Sequence, residues 1–311
     1  LMWDTYLKGF ESYLLLEKSY SKNTQEAYLR DCKRLIDYCQ ESYPNLLPKE
    51  LKFSHINKFL TSLQKPKEGK IIRISSVKRI VSGIRAFYKY LIIENIAETD
   101  PTELIDLPRL DERLPVVLTN LEIINLIDSI DKSTYRGEWI NLAIQVMYGS
   151  GLRVSELINL RISNIFFKQE IIKVIGKGDK ERWIPLNKLA LKKIKLFVRN
   201  TRSKIKPKLG CEDVLFLNQR GGKLSRIAVF QAVKEIAERA NIKKNIHPHT
   251  FRHSFATELI IGGADIMVVR ELMGHANVSS TQIYTHLDTE ELRETIILYH
   301  PLYNKKIKER E

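Results

Sequence analysis

Through the first hundred positions apolar residues recur at intervals of three and four, the rhythm of helices with one buried face. Residues 4–17 carry such a stripe. A second helix is predicted from a Ser21 or Asn23 cap to about residue 40, with Tyr28, Leu35, Ile36 and Cys39 on one side. A shorter one covers about 54–63. A longer one covers about 75–93, where Val77, Ile80, Val81, Ile84, Phe87, Tyr88 and Leu91 repeat. Residues 100–115 break the rhythm with Pro101, Pro108 and Pro115 among alternating charges, and read as a linker because proline disfavours helix on its N-terminal side. Thr119-x-x-Glu122 then spells a capping box that opens a new helix. The pattern beyond it is mixed. The β-prone runs 171–175 and 182–186 flank the tip Gly176-Lys177-Gly178-Asp179-Lys180 as a hairpin, and 214–217 is a further short strand candidate. From Ser225 onward helix prevails again. The expected fold is mainly α with a small β-hairpin or sheet: a helical domain at 1–107, a linker at 108–117, and an α+β domain at 118–311 that ends in a tail helix.

Length and composition agree with two folded domains: 311 residues, 43% hydrophobic and 28% charged. No apolar run approaches the eighteen residues of a membrane-spanning helix, and the opening stretch has no signal-peptide pattern. The chain begins on Leu1, so its natural start is expected to lie further upstream. Cys32, Cys39 and Cys211 show neither an even count nor a C-x-x-C spacing, which points to a reducing, cytoplasmic setting with buried or half-buried thiols.

Charge changes the picture more. Lys and Arg number 51 against 37 Asp and Glu, a net of +14, which favours a polyanionic partner: nucleic acid first, an acidic membrane surface second. The excess concentrates in two windows. Residues 49–89 hold eleven cations and two acids, and residues 168–208 hold fourteen and three. A merely solvated face would mix signs. Two basic domains on a linker suggest a clamp on double-stranded DNA, each Lys or Arg that meets a phosphate releasing counterions. Phosphate-binding loops, dinucleotide fingerprints, H-E-x-x-H and G-x-S-x-G are all absent from the sequence, so neither ATP, a dinucleotide nor any other cofactor is expected.

Four segments carry candidate chemistry. In His247-Pro248-His249-Thr250-Phe251-Arg252-His253 the proline marks a helix start, and His249 and Arg252 share one face of its first turn. An imidazole, a guanidinium and unpaired backbone N–H groups there suit a phosphate. A metal pair at His249 and His253 is the lesser reading, because no local carboxylate completes it. In Gly149-Ser150-Gly151-Leu152-Arg153-Val154-Ser155-Glu156-Leu157 a glycine-flanked turn enters a helix. Arg153 stands where the helix dipole disfavours a cation, and pairing with Glu156 is the ordinary explanation. Lys177 at the hairpin tip reads in isolation as a solvated turn residue. Gly274 ends a helix before His275, and Ser279 or Ser280 caps a short one bearing Tyr284, in isolation a core or rim residue.

Together, in this order and spacing, these segments resemble the tyrosine recombinase (phage-integrase-type) family and within it the Xer-like branch. The likeness spans about 114–299 and continues, more loosely, through Ser21-Lys-Asn-Thr-Gln-Glu-Ala-Tyr28 and Arg85-Ala-Phe-Tyr-Lys-Tyr-Leu91, which look like the family's core-DNA-binding helices. Residues 135–138 depart somewhat from its usual compact helix–helix link. The resemblance implies a catalytic domain of the tyrosine recombinase type. It also implies six catalytic residues: the arginines Arg153 and Arg252, the hairpin Lys177, His249, the later His275 and the nucleophile Tyr284, with Glu156 supporting Arg153. It implies transesterification without a metal, a 3′-phosphotyrosyl intermediate, and four protomers exchanging strands between two specific DNA sites through a Holliday junction. A tail helix at 290–298 would dock Leu292, Ile296 and Leu298 on a neighbouring protomer. Chromosome dimer resolution at a dif-like site during cell division, with a septal DNA translocase as a possible partner, is the first expectation. Integration of a mobile element, a type IB topoisomerase, and a DNA-binding regulator with an inert site are the alternatives.

Overall fold

The structure, a computed structural model, describes residues 2–18, 20–64, 72–106, 116–176, 181–274 and 289–303. The chain divides into two compact units, residues 1–113 and 114–311. Most of the predicted linker lies outside the described residues.

The first unit is helical: α1 (Met2–Leu16), α2 (Lys22–Ser42), α3 (Phe53–Gln64) and α4 (Ile74–Ile93). The apolar stripes face one another, so α1 packs on α2 and α4, and Phe10, Leu35, Ile36, Ile56, Ile84 and Phe87 are wholly buried between the helices. Ser21 stands at the start of α2, but its hydroxyl meets Thr24 Oγ1 at 2.8 Å rather than capping a backbone N–H. Asp31 is fully buried in this unit and is paired with Arg79 from α4.

The second unit begins with α5 (Asn120–Asp128), opened by the Thr119–Glu122 capping box. The Glu122 amide donates to Thr119 Oγ1 at 3.2 Å, and the Thr119 amide donates to Glu122 Oε2 at 2.8 Å. Helix α6 (Tyr135–Ser150) follows, buried almost all round from Trp139 to Ser150. Then come α7 (Val154–Ile158) and an antiparallel sheet of β1 (Ile165–Phe166), β2 (Ile171–Ile175) and β3 (Glu181–Pro185), in that order. Helices α8 (Lys188–Asn200), α9 (Arg226–Arg239), α10 (Pro248–Gly262), α11 (Ile266–Met273) and α12 (Thr289–Tyr299) follow among the described residues.

Three features differ from the sequence reading. Residues 214–217 form no strand and make only isolated bridges, because the Val214 carbonyl is taken by Arg202 Nε at 2.9 Å while Leu215 and Phe216 fill the core. Gly149 and Ser150 are the last residues of α6, not a turn, and the reversal begins at Gly151. Leu292 and Ile296 of α12 are buried within their own unit, where α12 packs on α10, α11 and β3, and Leu298 is left exposed.

Candidate active site

The end of α6 sets the geometry. Gly151 adopts φ 62°, where L side chains are strained, and a Cβ there would lie 2.5 Å from Phe255 Cδ1. The reversal places Arg153 at the N-cap of α7. Its amide donates to Glu156 Oε2 at 2.7 Å, its Nη1 to Glu156 Oε1 at 2.9 Å, and its Nη2 to the Gly274 carbonyl at 2.9 Å. The ordinary Arg153–Glu156 pairing is therefore present, and it orients the guanidinium.

Glu156 serves a second arginine. Arg182 on β3 donates Nη1 to Oε1 at 2.6 Å and Nη2 to Oε2 at 2.8 Å, a bidentate fork on a side chain only 2% exposed. Burial alone would raise the Glu156 pKa. The hydrogen bonds and charge of Arg182, then those of Arg153, outweigh it, and the carboxyl is held below its ordinary range.

Helix α10 supplies the third arginine. Pro248 occupies the first helical position, where its missing N–H costs nothing. Thr250 Oγ1 accepts from the His247 amide at 3.2 Å, which fixes the entry to the helix. His249 points to the exposed side, and Arg252, one turn on, is 4% exposed. Arg252 donates Nη1 to the Gly151 carbonyl at 2.6 Å and Nη2 to the Met273 carbonyl. Arg252 thus occupies the last carbonyl of α11 and Arg153 that of its C-cap, at the negative end of the helix. Gly274 closes α11 at φ 60°, and a Cβ there would come within 3.1 Å of Arg182 Cδ and Nη1.

Two guanidiniums therefore grip one carboxylate, and a third, Arg252, lies within the reach of its charge. Burial first, and then repulsion from Arg153 and Arg182, hold the Arg252 pKa well below its ordinary value. His249 is lowered too, by partial burial first and then by His247, Arg252, His253 and Arg153. Such a surplus of fixed donors and positive charge suits an anion with several oxygens.

The structure brings Arg153 and Arg252 together across Gly151 and the end of α11, and places His249 within reach of their fields. Lys177, His275 and Tyr284 lie outside the described residues, as does the predicted short helix bearing Tyr284. Sequence reasoning missed Arg182. One signal was legible: it has the same strand parity as Ile184, which is wholly buried, and a cation on the inner face of a strand needs a carboxylate.

Family models give the class. The model described as the phage integrase family matches residues 117–291, and that of the phage integrase N-terminal SAM-like domain matches 7–95. The chain belongs to the phage integrase family, the tyrosine recombinases, enzymes that cut and rejoin DNA in site-specific recombination. Tyrosine recombinase XerD of Staphylococcus aureus is 36% identical over 302 residues, spanning 96% of this chain and 99% of the relative. Tyrosine recombinase XerD of Chlorobaculum tepidum is 38% identical over 302 residues, spanning 96% and 97%. A structure of the Tn1549 transposon integrase in complex with a circular intermediate DNA shares the fold, with a TM-score of 0.71 at 20% identity over 93% of this chain and 97% of that one. DNA is thus the substrate of the family to which the chain belongs. Among the described residues no helix is long and apolar enough to cross a membrane.

Proposed function

We propose that this chain resolves chromosome dimers in the cytoplasm during cell division. It would act as a homotetramer on two dif-like DNA sites, with a septal DNA translocase as a possible partner. Its full-length likeness to two XerD proteins supports this reading over integration of a mobile element. In the proposed layout the helical domain spans 1–107, the linker 108–117 and the catalytic domain 118–311.

The proposed chemistry is a transesterification. Tyr284 Oη attacks the scissile phosphorus, its proton passes to His249, and the bond to the 5′ oxygen breaks as Lys177 protonates that oxygen. A 3′-phosphotyrosyl bond replaces the ester, and a 5′-hydroxyl reverses the step through a Holliday junction, so no ATP is consumed. Arg153 and Arg252 neutralise the non-bridging oxygens as charge gathers on them, and His275 adds a donor. The observation that carries the reading is the arginine group of Arg153 and Arg182 on Glu156 with Arg252 beside them, whose positive surplus matches a phosphoryl centre gaining negative charge.

A nicked suicide duplex carrying the site tests it. Tyr284→Phe is expected to bind the duplex and form no covalent complex. Arg153→Ala or Arg252→Ala should slow covalent-complex formation roughly 100- to 1000-fold, the cost of one lost donor to a developing oxyanion. Full covalent capture by Tyr284→Phe overturns the assignment.

A further inference from the structure

We propose that Arg182 is a positioning residue for strand cleavage: through Glu156 it fixes the fork of Arg153, and against Gly274 it holds the turn that closes α11. The inference rests on Arg153 serving the scissile phosphate as proposed above.

The Glu156 carboxylate is shared. Oε1 accepts from Nη1 of both Arg153 and Arg182, and Oε2 accepts from the Arg153 amide and from Arg182 Nη2. The terminal torsion of a glutamate is broad, so a carboxylate held only by Arg153 could rotate and take that arginine with it. A second bidentate fork from the other side removes the freedom. Arg182 is the more buried of the two, at 12% exposed against 29% for Arg153, which makes it the anchor and Arg153 the presented group.

Its place in the chain gives the anchor a further consequence. Arg182 pairs opposite Val174 in the β2–β3 ladder, five residues beyond Lys177. Its guanidinium lies against Gly274, whose carbonyl Arg153 also holds, and His275 is the next residue in sequence. One side chain therefore ties the strand that follows the hairpin lysine to the first arginine and to the end of α11. Lysine would not substitute, because a point charge lacks the planar fork that grips both carboxylate oxygens.

Single-turnover cleavage of the nicked duplex is the test, with site affinity measured separately in a Tyr284→Phe background. Arg182→Gln is expected to slow covalent-complex formation about 100-fold, the cost of a misplaced reacting group. Affinity should stay within about threefold, because the fork of Arg182 is spent on Glu156 rather than on DNA. Arg182→Lys, which keeps the charge and protects folding, should recover only part of the rate. The decisive readout is a double-mutant cycle: Arg153→Lys combined with Arg182→Gln should lose much less than the product of the two single losses. A merely structural role predicts additive losses instead. Additivity, or wild-type rates in both Arg182 variants while Arg153→Lys is slow, overturns this inference alone. A wild-type rate in Arg153→Lys overturns the role proposed for Arg153 and the inference with it.

Discussion

His249 sits in a field that works against its own protonation. Partial burial comes first, and His247, Arg252, His253 and Arg153 add to it, so the imidazole titrates below its ordinary 6.5. A lowered pKa favours the neutral imidazole, the state that the proposed role of proton acceptor requires. A bound phosphate reverses the sign of that field, because its negative charge favours the imidazolium. Two outcomes follow for the histidine NMR titration of the DNA-free protein. The His249 midpoint should fall below 6.5, and saturating vanadate or phosphate should raise it. A midpoint at or above 6.5 without the anion would show that the arginine fields do not reach this ring. The sequence motifs contain Arg153, His249 and Arg252 but not Arg182. The first three lie in signatures that carry their own spacing, whereas Arg182 acquires meaning only when the sheet folds it onto Glu156.

At the scale of elements, legibility followed exposure. The first-unit helices bury one face each, and their three-and-four rhythm was plain. Helix α6 is buried on nearly every side, so its sequence has no polar face to set a period, and it went unread although its end presents Arg153. Helix α8 has a clear apolar face of Ala190, Leu191, Ile194 and Phe197, but it lies in a run dense with lysine where one-signed charge masks that period. The apolar run 214–217 imitated a strand because burial alone does not supply a ladder partner. The turn after α12 was equally invisible. Its His300 is fully buried among Tyr148, Phe255 and Tyr303, with ring centroids 4.8, 5.2 and 5.6 Å away, and Tyr303 Oη donates to the Gly149 carbonyl at 2.7 Å. This turn therefore braces the helix end that leads to Gly151 and Arg153. Burial pushes the His300 pKa down from 6.5 to about 3. Between those values the unfolded chain takes a proton that the folded chain refuses, so stability is lost as pH falls through that window. The loss from this one residue is about 1.4 kcal/mol per pH unit. His300→Phe should flatten the dependence of unfolding free energy on pH between 6 and 4 by close to one proton. Denaturant melts at several pH values measure it, and an unchanged slope would mean His300 is protonated in the folded state.

For the molecule as a whole, positive charge falls into two populations. One is exposed: Lys49, Lys52, Lys58, Arg73, Arg85 and Lys89 in the first unit, and Lys188, Lys192, Lys195 and Arg199 at spacings of four, three and four along one face of α8. These meet bulk salt, and contacts they make to phosphates are counted in released counterions. The other is the arginine group at Glu156, where Arg252 is 4% exposed and the Arg153 side chain 29%. Salt screens exposed charges over about 8–10 Å and buried ones far less. Affinity and cleavage should therefore part company as salt rises. Between 50 and 200 mM salt, the affinity of the Tyr284→Phe protein for its duplex is expected to fall about 1000-fold or more, as for a protein making six or more phosphate contacts. The wild-type rate of covalent-complex formation, measured with DNA held at saturation throughout, should change less than about threefold over the same range, because the arginines proposed to stabilise the reacting phosphate are more shielded from the added ions than the exposed cations. A rate that falls in step with affinity would place the chemistry on the exposed cations and leave the buried arginines with a structural task only.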